Sequence, residues 1–195
     1  MALNIKDLES KSDIITNRLA HEYMHYIDDL LGNEKKYPEW SHKNKDILLD
    51  IIDKDVTKEK IQDRLAFWMW NTTMDKIKSM KNKSDVRAVY DDIIGMSDFI
   101  IKKKSYICSP EEIFVRVQGL RQYMVDIGIL ENINSSISEE DIQKLVDYHR
   151  NNYEASFIQV KRADVLYLLA LINIKDLSKK INKIATIGGV RSDLT

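Results

Sequence analysis

The segment His21-Glu22-Tyr23-Met24-His25 sets two imidazoles four residues apart, with a carboxylate beside the first. On a helix, residues i and i+4 share a face, so both rings can reach a single cation. Two histidines plus a carboxylate suit Zn²⁺, which in hydrolytic sites keeps one position open for water. The ion would make that water a usable nucleophile near neutral pH and polarise a peptide carbonyl. Glu22 stands where a carboxylate could hold the water and take its proton. The 195 residues include only four histidines, and two of them lie in this pentapeptide. Multiplying residue frequencies gives a chance occurrence of roughly half a percent.

The element that must carry this pair is a helix predicted over Asp13–Leu31. Its apolar positions are Ile14, Ile15, Leu19, Met24, Ile27 and Leu31, and Gly32 stops it. Leu19, Ala20, Tyr23, Met24, Tyr26 and Ile27 are uncharged, which predicts a helix buried beneath the metal site. Apolar residues recur at helical spacing along most of the chain. After the polar stretch Asn33–Trp40, helices are expected over Lys43–Asp53, from Thr57 through Trp68 and Trp70 to Met80, and over Asp85–Met96 with Ser84 as N-cap. Ser109-Pro110-Glu111-Glu112 opens another, with serine at the cap, proline in the first turn and acids at the positive end of the dipole. Ser138-Glu139-Glu140-Asp141 starts a helix to about Asn152, and a last one covers Arg162–Ile184. Ser105–Cys108 and Ser156–Val160 are the only weak strand candidates.

Composition narrows the class. Thirty basic against 31 acidic residues give a net charge of -1, so no overall basic field points to nucleic acid. Six glycines and two prolines are few for a barrel or sandwich built on tight turns. The single cysteine, Cys108, excludes an internal disulfide and a Cys-rich zinc module. The longest apolar run, around Val165–Ile172, is too short to span a bilayer, and Met1–Ser10 does not resemble a secretory signal. The expectation is a mainly α protein with little or no β-sheet. It would be soluble and intracellular.

The longer string His21-Glu22-Tyr23-Met24-His25-Tyr26-Ile27-Asp28 resembles the H-E-[FYW]-G-H-x-[ILV]-D signature of anthrax lethal factor-like zincins. Similar segments occur in peptidase-like domains of phage and mobile-element polyproteins. In those families a glutamate on a later helix, within strings such as Y-x-S-S-P-x-E-x-F-A-R, supplies the third ligand. Tyr106-Ile107-Cys108-Ser109-Pro110-Glu111-Glu112-Ile113-Phe114-Val115-Arg116 is similar to that pattern, and Asp92-Ile93-Ile94-Gly95 resembles a segment often found between the two motifs.

The resemblance implies a gluzincin-type metallopeptidase acting on a peptide or protein. Zn²⁺ would be held by His21, His25 and Glu112, with Glu22 as general base. Glu111 competes for the third position. The alignment prefers Glu112, as does its i+4 relation to Arg116, which could orient the carboxylate. Asp28, three residues after His25, could hydrogen-bond a ligand imidazole. Tyr106 is the leading candidate to stabilise the oxyanion, ahead of Tyr23 and Tyr26. The implied architecture is a zincin-like active-site helix pair on a helical scaffold. It divides into a metal-site region at 1–132, with a helical insertion at about 33–104, and a C-terminal helical subdomain at 133–195.

The chain also departs from the pattern. Met24 replaces a glycine that allows close backbone approach, Cys108 a serine, and Val115 an alanine. Zincins place a small sheet before the metal helix, and its edge strand pairs with extended substrate; the dozen residues before Asp13 are too few for one. The alternative reading is therefore a catalytically degenerate zincin-like module of a phage or mobile element, with proteins of that element as partners.

Other features have plainer readings. Phe67-Trp68-Met69-Trp70 is read as core, because aromatic rings carry large burial energies. Lys102-Lys103-Lys104 is read as a solvated helix end, since three lysines give little phosphate affinity. His149 is assigned to the surface or a helix end, and His42 carries no specific signal. A thiolate at Cys108, next to a helix start, lacks a sequence-local histidine partner.

Overall fold

The computed structural model describes residues 21–26, 45–152, 163–172 and 177–184. Among these the protein is mainly helical and contains no sheet. Residues 21–26 form a helical segment, α1. It is followed by α2 (Lys45–Asp50), α3 (Lys58–Trp70), α4 (Met74–Met80), α5 (Ser84–Lys102), α6 (Lys104–Ile107), α7 (Pro110–Asp126) and α8 (Glu139–Asn151). Then come α9 (Ala163–Leu171) and α10 (Leu177–Asn182).

Local chemistry sets several of these starts. Thr57 caps α3 by accepting from the Lys60 amide at 3.3 Å, and Thr73 caps α4 in the same way. Ser138 and Asp141 form a reciprocal capping box at α8. The single helix expected from Thr57 to Met80 is instead two. Asn71 adopts a left-handed conformation (φ 47°) and ends α3 before Thr73 reopens the chain. Asparagine tolerates that conformation better than most residues, and the apolar spacing across the break hides it.

Three further expectations are corrected. Lys83, without a side-chain bond, occupies the cap position of α5, so Ser84 is its first helical residue, and α5 runs on past Met96 to Lys102. Ser105–Cys108 is not a strand; Lys104–Ile107 is a short helix. The last predicted helix does not continue from Arg162 to Ile184, because α9 ends at Leu171 and Ile172 forms an isolated antiparallel bridge with Ile52. Ser156–Val160 lies outside the described residues.

Helix α9 is apolar on nearly every side and lies centrally, as such composition demands. Helix α3 packs against α5, α8 and α9, while α7 packs against α2, α6 and α9. Buried residues from Leu48 to Ile184 belong to one core, in which Trp68 and Met69 are fully enclosed and Phe67 and Trp70 pack at its edge. At the C-terminal end of α9, the Ala170 carbonyl accepts from Arg64 at 3.2 Å and the Leu171 carbonyl from the Asp53 amide at 2.9 Å. These bonds satisfy carbonyls that the helix itself leaves open.

Helix α7 carries the third candidate ligand and is anchored along its length. Ile113, Phe114, Val117, Leu120 and Met124 are buried in the core. Near its C-terminal end, buried Arg121 donates to the carbonyls of Ile133, Ser135 and Ile181 and to Asn182 Oδ1. Desolvation lowers its pKa to about 10. The arginine thereby ties the segment after α7 to α10 and holds the site helix from behind.

Candidate metal centre

Helix α1 presents His21 and His25 toward the first turn of α7. Met24, between them in sequence, packs against the core, which is how a methionine is accommodated where the resembled pattern has glycine. Tyr23 and Tyr26 are 61% and 62% exposed, contrary to the buried helix expected beneath the site. The helical period explains this: Met24 and the histidines take the inward arc, leaving 22, 23 and 26 on the outer one. Glu22 is exposed there.

Helix α7 begins at Pro110, with Ser109 as its cap accepting from the Glu112 amide at 3.4 Å. The cap fixes the first turn at the residue whose carboxylate meets the histidines. Glu112 Oε2 lies 3.5 Å from His21 Nε2, and Oε1 lies 3.3 Å from His25 Nε2. The two Nε2 atoms are 3.1 Å apart. Glu111, the competing residue, is not in this cluster.

These spacings can be tested against a cation. Zinc bonds of about 2.0–2.1 Å in a tetrahedron put ligand atoms about 3.3–3.4 Å apart. The His21–His25 separation of 3.1 Å and the His25–Glu112 Oε1 separation of 3.3 Å lie near that value, one ligand atom from each of the three residues falls within 4.8 Å of the others, and two imidazoles with one carboxylate are the donor set of hydrolytic zinc sites. The residues therefore fit such an ion.

Arg116, one turn after Glu112, forms a buried ion pair with its carboxylate through Nη1, which also donates to the Glu112 carbonyl at 3.3 Å. The Tyr106 ring lies over the guanidinium, 5.7 Å from its centre, and the Tyr106 hydroxyl hydrogen-bonds Glu112. Burial alone pushes the Glu112 carboxyl up, but hydrogen bonds from His21 and Tyr106 and the charge of Arg116 outweigh it and hold the pKa at about 2. The same hydrogen bond, with burial and the Glu112 charge, raises the Tyr106 phenol. The Glu112 carboxyl is thus ionised with no cation beside it, the state that metal binding by a carboxylate requires.

Tyr106 itself is 53% exposed. Asp28, expected near a ligand imidazole, lies outside the described residues, as does His42. His149 is not a surface residue: it is 1% exposed, on α8, with Nε2 3.1 Å from the Tyr123 hydroxyl on α7. Its partner is far away in sequence, so no local pattern reveals the burial. Cys108 is partly buried, and desolvation pushes its thiol up against the pull of Lys104 and Arg116, which leaves it protonated at neutral pH.

Sequence reasoning did not find the contact between the Tyr106 ring and Arg116. The two residues sit on different helices, and nothing in their spacing marks the pairing. No known protein family, curated protein or solved structure matches the chain. No helix among the described residues is long and apolar enough to cross a membrane.

Proposed function

We propose that this protein is a zinc-dependent, zincin-like metallopeptidase, with His21, His25 and Glu112 as the ligands and Glu22 as the general base. The observation that carries the reading is the mutual approach of the three ligand side chains, at 3.1, 3.3 and 3.5 Å. Two of them come from one helix and the third from a distant one, so local sequence alone does not account for their meeting.

When bound, Zn²⁺ polarises a peptide carbonyl and lowers the pKa of water at its open position. The chain supplies the proton transfers and the orientation. Glu22, next to His21 in sequence and exposed outside the ligand cluster, would turn toward a bound substrate to take a proton from the attacking water and return it to the departing amine. Tyr106 donates its hydroxyl to the carbonyl oxygen as charge builds there. Arg116 keeps Glu112 ionised and fixes its carboxylate, so this ligand needs no rearrangement to receive a cation.

Metal content tests the site directly. Purified protein should hold one zinc per chain, and His25→Ala should lose it without losing helicity; failure to bind zinc at stoichiometry overturns the proposal. Catalysis is tested separately. Glu22→Gln should abolish cleavage of a peptide library while zinc stays bound, and a wild-type protein that binds zinc but cleaves nothing supports the degenerate-module alternative.

A further inference from the structure

The two oxygens of the Glu112 carboxylate are not equivalent. Oε1 faces the His25 imidazole, 3.3 Å from Nε2. Oε2 faces His21 at 3.5 Å and is also the oxygen that accepts from Arg116 Nη1. The same Nη1 donates to the Glu112 carbonyl at 3.3 Å, so the guanidinium is held by the helix backbone as well as by the carboxylate. Both side chains are buried, and the Tyr106 ring covers the guanidinium with its centroid 5.7 Å away. A carboxylate that turned to offer both oxygens to one cation would break this pair, and breaking a buried ion pair is costly. A divalent ion on Oε2 would also stand beside the guanidinium charge in a poorly screened setting, whereas Oε1 lies on the His25 side.

We propose that Arg116 sets the coordination mode of the centre: it retains Oε2, so that Glu112 gives the cation Oε1 alone and the site selects a small four-coordinate ion. This rests on the metallopeptidase reading above. Two imidazoles and one oxygen are three donors, which leaves the fourth position of a tetrahedral ion for water or substrate. A carboxylate bound through both oxygens would supply a fourth donor and crowd that position. It would also suit larger cations of higher coordination number, such as Mn²⁺ and Ca²⁺, which prefer oxygen ligands. Arg116 is thus a positioning residue that acts on the metal through Glu112. It governs which ion is held as well as how tightly.

Two measurements test this, and neither reads activity. The first needs no variant. In a crystal structure of zinc-loaded wild-type protein, Oε1 should lie about 2.0 Å from the ion, with Oε2 outside bonding distance and still accepting from Arg116. The second replaces zinc by Co²⁺, whose visible absorption is strong when four-coordinate and weaker when five-coordinate. Wild type should give the strong bands. Arg116→Leu removes the guanidinium and adds no ligating atom, so its bands should lose intensity and shift to shorter wavelength as Oε2 joins the ion. Competition titrations should show the preference of this variant for Zn²⁺ over Mn²⁺ narrowed about tenfold. Arg116→Lys, which keeps a charge and a donor beside Oε2, should restore much of the strong spectrum.

Zinc bound through Oε2, or through both oxygens, overturns the proposal. So does a cobalt spectrum or a Zn²⁺ preference that Arg116→Leu leaves unchanged. The two claims fail differently: an ion bound on both oxygens removes only the coordination mode, whereas wild-type protein that takes up neither zinc nor cobalt removes the metallopeptidase reading itself.

Discussion

Arg116 and Glu112 form a buried ion pair within one turn of α7, with side chains only 4% and 6% exposed. Burial disfavours the Glu112 charge, so the carboxylate needs a permanent counter-ion whenever no cation is present. Arg116 supplies that charge, and because the guanidinium also donates to the Glu112 carbonyl, the orientation is set by the helix itself.

Arg116→Gln should therefore weaken the protein in two measurable ways. Removing one partner of a buried pair leaves an uncompensated charge, at a cost of about 3 kcal/mol. Urea unfolding of metal-free protein should show that loss. Zinc affinity, read by competition with a chromogenic chelator, should fall about tenfold as the ligand carboxylate loses its support. Arg116→Lys should recover part of the stability but less of the affinity, since an ammonium cannot reproduce the fork. Unchanged zinc affinity in Arg116→Gln would count against the orienting role.

Acid titration gives a second expectation. The Glu112 carboxyl sits at about 2 in the folded protein against an ordinary value of 4.5. As pH falls, the unfolded chain takes this proton first, so the contribution is complete above about 4.5 and is lost as pH drops toward 2. Its size is on the order of 3 kcal/mol. The unfolding free energies of wild type and Glu112→Gln should differ by a constant amount above that window and converge below it. A difference that grows on acidification would mean that Glu112 is not held ionised.

What the sequence could reveal depended on whether an interaction was local. Ser109-Pro110 and Ser138 marked helix starts because caps act within one turn. The His21–His25 pair was legible for the same reason. The end of α3 was not, since Trp68, Met69, Met74 and Ile77 keep helical spacing while Asn71 turns the backbone left-handed between them. His149 and Tyr123 meet from different helices, so burial of that histidine had no sequence signal. Glu112 was reachable only through the motif that resembles the zincins, and the Tyr106–Arg116 contact was reachable by neither route.

Ser109→Ala tests how far the cap governs the site. The serine oxygen accepts from the Glu112 amide, and losing an N-cap costs about 1 kcal/mol. Fraying of that first turn would loosen the very residue that meets the histidines. The expected result is a small drop in thermal midpoint with a few-fold weaker zinc binding, whereas Ser109→Asp, which also caps, should keep both near wild type. Equal zinc affinity in all three proteins would show that core packing of Ile113 and Phe114 suffices to place Glu112.

Tyr106→Phe separates orientation from chemistry. The ring would still cover the Arg116 guanidinium, so the cation–π contact and the fold should persist. Only the hydroxyl is lost, and with it one hydrogen bond to Glu112. If that bond mainly positions the ligand, zinc affinity should fall and turnover of zinc-saturated protein should be little changed. If the hydroxyl serves the developing oxyanion, saturation with zinc will not rescue activity, and kcat should drop about 100-fold or more with KM nearly constant. We expect the second outcome. The phenol is 53% exposed, and Arg116 already secures Glu112 without it.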